Sequence, residues 1–349
     1  MNDPTPSPRP LVITMGDPAG IGPEIIAKAF RDAPSVTAGC FVAGDVAALR
    51  RASAMVSGPG RPLIPVARID TPAAAFAAPT RCIPVLQVSQ HAALVDVGTV
   101  SALAGAVAAE CVIWAARAAL RQEVAAIVTA PLHKEALAAA GVPYPGHTEM
   151  LQAEAAAFLG KPVADVPVRM MLANDELRTV LVSIHVALRD AIAAVTPENV
   201  SQTLRITHES VGAMLRRPPR IGVAGLNPHA GEGGLFGREE VEVIAPAIAA
   251  ARRVGMDVTG PLAPDTVFMR ARASADHPGE FDVVVAMYHD QGLIPVKYLG
   301  VDKGVNVTLG LPLLRTSPDH GTAFDLAGTG RADPSSLIEA IRFARQLCA

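Results

Sequence analysis

Polar side chains that could do chemistry follow an apolar run near the end of the chain. Residues 283–286 (VVVA) are typical of a buried strand, and Tyr288, His289, Asp290 and Gln291 come directly after it. In α/β proteins, ligands bind outside the carboxyl ends of strands, so this position favours a site. Two cations and an amide that could converge on an anion follow within the same part of the chain, namely Lys297, Asn306 and Arg315. We therefore predict an anion-binding site here.

Four of the nine histidines follow a predicted strand or open a predicted helix: His147, His185, His229 and His289. Three neutral imidazoles around a divalent ion with one open position would polarise an alcohol or a carbonyl. No HxH or HxxxH spacing joins these residues, so ordinary hydrogen bonding of isolated histidines remains an alternative. Asp265 and Asp290 could orient ligands or move a proton, or could be simple turn residues.

A predicted helix begins near residues 145–151 (PGHTEML) and runs on through Leu159. His147 and Thr148 at its start could meet a phosphate, since helix amides add partial positive charge there. The alternative is that Thr148 or a neighbour only caps the helix.

Strands and helices alternate along the chain, which predicts an α/β fold with a largely parallel sheet. After the first predicted strand, residues 11–14, comes MGDPAGIGPE, whose G-x3-G-x-G spacing is not the dinucleotide fingerprint. We interpret it as a glycine turn between a strand and a helix.

Near the end of the chain, the polar loop 316–328 could hold the adenosine end of a nucleotide, or could be a plain loop before the last helix.

Composition excludes several classes of function. The 349 residues carry a net charge of −3, and no basic run indicates nucleic-acid binding. The longest apolar segments contain charges, which argues against a membrane span. Residues 1–10 are polar and proline-rich, and we expect a disordered lead-in rather than a signal peptide. Four scattered cysteines without a CxxC pair favour a reducing compartment, buried thiols and a cytoplasmic protein.

Several blocks together resemble the 4-hydroxythreonine-4-phosphate dehydrogenase family of vitamin B6 (pyridoxal 5'-phosphate) synthesis. They are MGDPAGIGPEI at 15–25, TAP at 129–131, PGHTEML at 145–151, GLNPHAGEGG at 225–234, AMYHDQGLIPVK at 286–297 and GVNVTLGLPLLRTSPDHGTAFDLAG at 304–328. The blocks are spread in order over nearly the entire chain.

The resemblance implies an isocitrate/isopropylmalate dehydrogenase-like fold, in which two α/β/α lobes flank a cleft. We expect the first lobe to comprise residues 1–130 together with 300–349, and the second residues 131–299. The family is homodimeric with sites at the subunit interface, so we expect one metal ligand, His289, to come from the neighbouring chain.

The resemblance also implies roles for individual residues. One divalent ion, expected to be zinc with magnesium or cobalt as alternatives, would be bound by His185, His229 and His289. A small phosphorylated hydroxy acid would be bound by His147, Thr148, Lys297, Asn306 and Arg315. The candidates for proton transfer or orientation are Asp265, Asp290 and Lys297. The cofactor, NAD or NADP, would be bound by the loop residues Asp319, His320, Gly321, Thr322 and Ala323.

The implied reaction is NAD(P)+ oxidation of the C3 hydroxyl of 4-phosphohydroxy-L-threonine to a β-keto acid, which loses CO2 to give 3-amino-2-oxopropyl phosphate. Relatives that oxidise D-threonate or D-erythronate 4-phosphate are resembled at least as well, and the motifs do not decide between an amino group and a hydroxyl at C2. A phosphate acyltransferase or a non-catalytic metabolite-binding protein of the same fold is a further alternative. The histidine triad argues against both, because neither needs a metal.

Overall fold

The structure, a computed structural model, describes residues 8–91 and 94–348. The predicted lead-in lies mostly outside these residues. The chain forms two compact units: the first comprises the residues up to Val166 and from Leu311 onward, and the second is Pro167–Gly310. Each unit is built around its own set of sheet strands.

The helices and strands follow one another in the order β1 (Leu11–Thr14), α1 (Gly22–Asp32), α2 (Pro34–Thr37), β2 (Cys40–Gly44), α3 (Val46–Met55), β3 (Val66–Ile69), β4 (Ile83–Gln87), α4 (Ala102–Leu120), β5 (Ala126–Thr129), α5 (Lys134–Ala139), α6 (His147–Leu159), β6 (Arg169–Ala173), β7 (Arg178–Leu181), α7 (Leu188–Ala193), α8 (Pro197–Leu215), β8 (Ile221–Ala224), α9 (Ala245–Arg253), β9 (Val258–Leu262), α10 (Val267–Ala271), β10 (Val283–Ala286), α11 (His289–Tyr298), β11 (Val305–Leu309), β12 (Arg315–Pro318) and α12 (Ser335–Cys348).

The first unit contains a parallel sheet in the order β3-β4-β2-β1-β5-β12. Strands β1, β2 and β5 are buried along their whole length, as expected for parallel strands covered on both faces. The long apolar helix α4 has a mean hydropathy of 1.6, enough by length and composition to cross a membrane. Most of it is buried in the core, where Val112 packs with Phe41 and Leu137, so it serves as a core helix of the first unit.

The second unit contains strands in the order β11-β6-β7-β10-β8-β9. Strands β7, β10, β8 and β9 are parallel neighbours, and β6 runs antiparallel to both β7 and β11. The predicted α/β class is confirmed, and β6 is the exception to the parallel sheet. Because β7, β10 and β8 are adjacent and parallel, their carboxyl ends lie at one edge, and these ends position the histidines.

The boundaries of the two units differ from the predicted ones at residues 130 and 300. Helices α5 and α6 belong to the first unit because Leu137, Met150 and Leu151 pack into the same core as α4. At Gly105, a Cβ atom would lie 2.0 Å from the Ala136 carbonyl oxygen, so glycine permits the close approach of α4 and α5. His147 and Thr148 are therefore parts of the first unit.

Two local sequence patterns differ from the structure. Residues 63–66 are typical of a short strand, but the strand lies at Val66–Ile69, and the proline-rich residues 260–266 are typical of a turn, but strand β9 extends to Leu262. Cys40, Cys82 and Cys111 are buried as expected, whereas Cys348 is exposed at the end of α12. All four cysteines are free thiols.

Candidate active site

Three histidines follow the three adjacent parallel strands of the second unit. His185 lies beyond β7, His289 begins α11 directly after β10, and His229 lies in the loop after β8. The register pairs Ala286 with Leu181 and Val283 with Ile221, so the strands end close to one level. The sheet thus carries all three predicted metal ligands to one edge.

His185 and His289 lie side by side. Their ring centroids are 5.5 Å apart at an interplanar angle of 45°. The Asp290 carboxylate lies 2.7 Å from the Nδ1 atom of His289, an arrangement that orients the ring and makes Nε2 the nitrogen suited to bind a metal. Two imidazoles, one of them paired to a carboxylate, suit a borderline-soft divalent ion such as zinc. These two residues therefore fit the expected ion.

His229 does not join this pair to form a complete site. Among the described residues, no group of three or more His, Cys, Asp or Glu side chains is arranged to hold a metal ion. The His229 side chain is 65% exposed, and its Nδ1 atom lies 3.4 Å from the Glu232 carboxylate. The third predicted ligand is thus held on the same sheet edge but faces solvent.

The backbone is strained at several predicted site residues. His185, His229 and Ala323 have positive φ angles of 33°, 51° and 41°, a region that costs a residue with a side chain about 1–3 kcal/mol. Such residues cluster at functional sites, because the surrounding structure must over-determine them. This signal supports two of the metal candidates and the cofactor loop, and the sequence alone did not reveal it.

Two polar residues to which the sequence assigned no individual role hold the histidine loops. The Glu240 carboxylate is buried and accepts hydrogen bonds from the backbone N–H groups of Leu226 and Asn227, both at 2.7 Å. The Gln291 side chain accepts from the Met287 N–H and donates to the Gly225 carbonyl, also both at 2.7 Å. Gln291 stands in the quoted block at 286–297, whereas Glu240 lies outside all of the quoted blocks.

The first unit holds the predicted anion-binding arginine in a buried position. Arg315 begins β12 and is only 5% exposed, and its Nε and Nη2 atoms both donate to the Thr129 hydroxyl, at 3.0 and 2.7 Å. Burial lowers the pKa of Arg315 to about 10, while the negative charge of Glu149 opposes that shift. The guanidinium therefore stays charged at neutral pH and is fixed in direction.

His147 lies beside this arginine at the first position of α6. Burial lowers its pKa well below the ordinary value, and the positive charge of Arg315 lowers it further, so the ring is neutral near pH 7. Its Nε2 atom is buried without a hydrogen-bond partner among the described residues. The helix N-cap is Gly146 and no side chain caps it, so the capping alternative for Thr148 is wrong. A buried cation, an unpartnered imidazole nitrogen and a helix start together suit an anion.

Thr129 was missed as a site residue although it stands in a quoted motif. It is the last residue of the buried strand β5, and its partner in the sheet is Thr14 on β1. A polar residue at the carboxyl end of an apolar strand was the available signal. Its contact with Arg315 joins residues 186 positions apart, which no local pattern indicates.

The predicted cofactor loop packs on the start of α1. The Thr322 carbonyl accepts a hydrogen bond of 3.0 Å from the Ile21 N–H, and a Cβ atom at Gly20 would lie 2.9 Å from the Thr322 Cβ atom. His320 and Gly321 are exposed, whereas Thr322 is buried. The loop is thus anchored at Thr322 and presents His320 and Gly321 to the surface, whereas Asp319 is partly buried.

The remaining predicted residues lie in the second unit. Lys297 is in the last turn of α11, Asn306 is in β11 opposite Leu172, and both are partly buried. Asp265 is exposed in the turn between β9 and α10. Asp290, in the first turn of α11, contacts the predicted metal ligand His289.

A groove of about 390 Å³ in the first unit lies away from all of these residues. It is lined by side chains that include Phe30, Thr37, Phe76 and Arg81, near Cys40 at the start of β2. This is the amino-terminal edge of the sheet, opposite the edge where α/β proteins place their ligands. We therefore do not assign it to the candidate site.

Comparisons with known proteins show the family of the chain. Residues 37–344 match the family of the pyridoxal phosphate biosynthetic protein PdxA. The chain is 52% identical to a 4-hydroxythreonine-4-phosphate dehydrogenase of Beijerinckia indica, over 97% of this chain and 95% of that protein. It is 46% identical to a D-threonate 4-phosphate dehydrogenase of Salmonella typhimurium, over 97% and 99% of the two chains.

A solved structure is similar over the whole length. The crystal structure of a 4-hydroxythreonine-4-phosphate dehydrogenase from Klebsiella pneumoniae has a TM-score of 0.85 and 40% identity, covering 98% of this chain and 100% of the other. The predicted isocitrate/isopropylmalate dehydrogenase-like α/β fold is confirmed. The family match over residues 37–344 and the 52% identity to the Beijerinckia indica protein show that the chain belongs to the PdxA family of pyridoxal phosphate biosynthetic proteins.

Proposed function

We propose that the protein is a metal-dependent NAD(P)+ dehydrogenase that oxidises the C3 hydroxyl of 4-phosphohydroxy-L-threonine. The product is a β-keto acid that decarboxylates to 3-amino-2-oxopropyl phosphate, in pyridoxal 5'-phosphate biosynthesis. The observation that carries the proposal is the His185 and His289 pair, with Asp290 on the His289 ring. Acyl transfer and simple metabolite binding do not need such a pair, which disfavours both alternatives.

The residues of the first unit bind the charged end of the substrate in this proposal. Arg315 supplies a fixed guanidinium, and His147 offers a neutral ring whose Nε2 atom can share a proton with a phosphate or carboxylate oxygen. Thr148 adds a hydroxyl in the first turn of α6, where the helix amides favour negative charge. Lys297 and Asn306, which belong to the second unit, are the other substrate-binding residues that we propose.

Oxidation of the C3 hydroxyl would release a hydride, which NAD(P)+ would accept, and a proton, which a base of the protein would take. His185, His229 and His289 would hold a divalent ion, with zinc expected and magnesium or cobalt as alternatives, and such an ion would lower the pKa of the alcohol and withdraw charge from the developing ketone. Asp290 orients His289, Asp265 is the candidate that receives the proton, and Lys297 is placed to stabilise the developing negative charge.

The cofactor, NAD or NADP, binds at the loop of Asp319, His320, Gly321, Thr322 and Ala323. The anchored carbonyl of Thr322 and the exposed turn before it support this assignment. No nucleic acid or membrane partner is involved in the proposal. We place the protein in the cytoplasm, where its small phosphorylated substrate and nicotinamide cofactor are found.

A homodimer with sites at the subunit interface completes the proposal. The apolar side chains of Val186 and Leu188, just after His185, are 55% and 59% exposed. Leu235 and Phe236, just after the His229 loop, are 73% and 49% exposed. Apolar surface of this kind favours coverage by another chain. Because His185 and His289 pair within one chain, we revise the predicted division of ligands and assign His229 to the neighbour's site.

D-threonate or D-erythronate 4-phosphate is the alternative substrate. The relative of Salmonella typhimurium at 46% identity, named a D-threonate 4-phosphate dehydrogenase, supports it. These acids share the phosphate and differ at C2, which the residues of the anion site do not discriminate.

The test is NAD+ and NADP+ reduction by the purified protein with each of the three phosphorylated acids, before and after treatment with a chelator. We expect metal-dependent turnover, restored by zinc, magnesium or cobalt, and fastest with 4-phosphohydroxy-L-threonine. Faster turnover of a sugar-acid phosphate would move the assignment to the alternative. Turnover that survives full metal removal, or none with any substrate, would overturn the proposed mechanism.

A further inference from the structure

The histidine loops of the second unit are joined by a hydrogen-bond bridge, formed by Gln291 with Met287 and Gly225. The Gln291 Oε1 atom accepts from the Met287 N–H, and its Nε2 atom donates to the Gly225 carbonyl, both at 2.7 Å. Met287 stands two residues before His289, and Gly225 stands four residues before His229. One amide side chain therefore links the ends of β10 and β8, the two strands that carry these histidines.

The Gly225 side of the bridge continues into a second contact. The Glu240 Oε1 atom accepts from the backbone N–H groups of Leu226 and Asn227, and its Oε2 atom accepts from the Asn227 side chain at 3.0 Å. At Gly231, a Cβ atom would lie 2.6 Å from Oε2, so the loop wraps tightly around this carboxylate. Glu240 is 2% exposed and serves the loop rather than solvent.

The His185 segment is also hydrogen bonded to Met287. The Ser183 hydroxyl donates to the Met287 carbonyl at 3.0 Å, and Ser183 stands two residues before His185. Met287 is therefore held by Ser183 at its carbonyl and by Gln291 at its N–H group. The strained backbones of His185 and His229 need such outside support, because a left-handed residue relaxes when its surroundings permit.

We infer that Gln291 is a positioning residue that holds the His289 segment and the His229 loop of one chain in place, so that each histidine meets the other ligands of its own metal site in the dimer, and that it thereby tunes metal affinity. The inference rests on the proposed metal site. Hydrogen bonds outside the ligand set commonly change metal affinity about 10- to 100-fold, because they fix ligand orientation before the ion binds. Glu240 holds the far end of the bridge in place.

The experiment is Co²⁺ binding to the metal-free dimer, measured by calorimetry and by the visible absorption of bound Co²⁺, with hydrogen exchange of the apo protein alongside. Gln291→Leu removes both arms of the bridge. Gln291→Glu retains the acceptor for the Met287 N–H and loses the donor to Gly225. We expect both variants to bind Co²⁺ about 10- to 100-fold more weakly with an altered spectrum, and to exchange faster at residues 225–231.

Gln87→Leu is the matched control. The Gln87 side chain in the first unit also accepts from a backbone N–H, that of Val46 at 2.8 Å, and donates to a backbone carbonyl, that of Ser89 at 2.9 Å. It should lower thermal stability to a similar extent and leave Co²⁺ affinity and spectrum unchanged.

The outcomes separate the two proposals. Wild-type protein that binds Co²⁺ together with Gln291 variants that bind it equally well would overturn the positioning role alone. An equal loss in Gln87→Leu would do the same, because the effect would then be general destabilisation. Wild-type protein that binds no Co²⁺ would overturn the metal site of the proposed function and the positioning role with it.

Discussion

In the first unit, the Arg315 side chain is 5% exposed and already hydrogen bonded to Thr129, whereas in the second unit the His229 side chain is 65% exposed. The two halves of the candidate active site, the anion site of the first unit and the histidine edge of the second, thus differ in how their side chains are held. The anion site is buried and oriented by its own unit, while the histidine edge is open and only two of its three histidines pair.

This difference fits the chemistry that the proposed function assigns to each half. A guanidinium binds phosphate best when its direction is fixed in advance, and burial in a parallel sheet provides that rigidity. A catalytic metal needs an open coordination position and access for substrate, so its ligands stand on loops at the sheet edge. The open half is therefore the half that a neighbouring chain can complete.

The largest test of this comparison uses mixed dimers. His229→Ala and His185→Ala should each be inactive but dimeric. Mixed after dissociation and reassociation, they should regain about a quarter of wild-type activity, because random pairing makes about half of the dimers mixed and each of these has one intact site of two.

A second mixture of variants shows which histidine the neighbouring chain supplies to each metal site. If His185 and His289 serve one site from one chain, a mixture of His185→Ala and His289→Ala stays inactive. Recovery in that mixture, with none in the first, would assign His289 to the neighbour, as the resemblance had suggested. Activity is followed by NAD(P)H absorbance, and dimer content by light scattering.

A second test addresses the buried half. Thr129→Val keeps the shape of the side chain and removes the hydroxyl that accepts two hydrogen bonds from Arg315. Loss of a buried acceptor costs about 1–3 kcal/mol, so KM for the phosphorylated substrate should rise about 10- to 100-fold with little change in Co²⁺ affinity. Thr129→Ser, which retains the hydroxyl, is the control and should stay near wild type. A wild-type KM in Thr129→Val would remove this residue from the anion site.

The sequence predicted individual strands better than the contacts between residues that are distant along the chain. The apolar runs at 221–224 and 283–286 coincide with β8 and β10, because a buried parallel strand needs continuous apolar residues. The contact of Thr129 with Arg315 and the bridge from Gln291 to Gly225 join distant residues, so no periodicity indicates them. The left-handed backbone of His185 was equally hidden, since it depends on the surrounding fold rather than on residue type.

The boundary between the two units shows the same limit of prediction from sequence. The polar segment after β5 suggested a passage into the second lobe, yet α5 and α6 return to pack on α4. The close packing of Gly105 against Ala136 permits this arrangement, and no local sequence pattern indicates that contact. For the candidate site, the motifs predicted the residues, and the tertiary structure decided which of them are buried and which are paired.

The smallest expected effect is a pH dependence of stability that only the buried half should show. The pKa of His147 is lowered in the folded protein by burial and then by the charge of Arg315, so the unfolded chain binds the extra proton first as pH falls. Stability is therefore retained above the unfolded pKa of about 6.5 and lost as pH falls below it, with a slope of at most about 1.4 kcal/mol per pH unit. His147→Gln should flatten this slope in urea unfolding of the metal-free protein between pH 5 and 7. His320→Gln, at an exposed side chain of the same unit, is the control, and an equal change in both variants would contradict the burial of His147 as the cause.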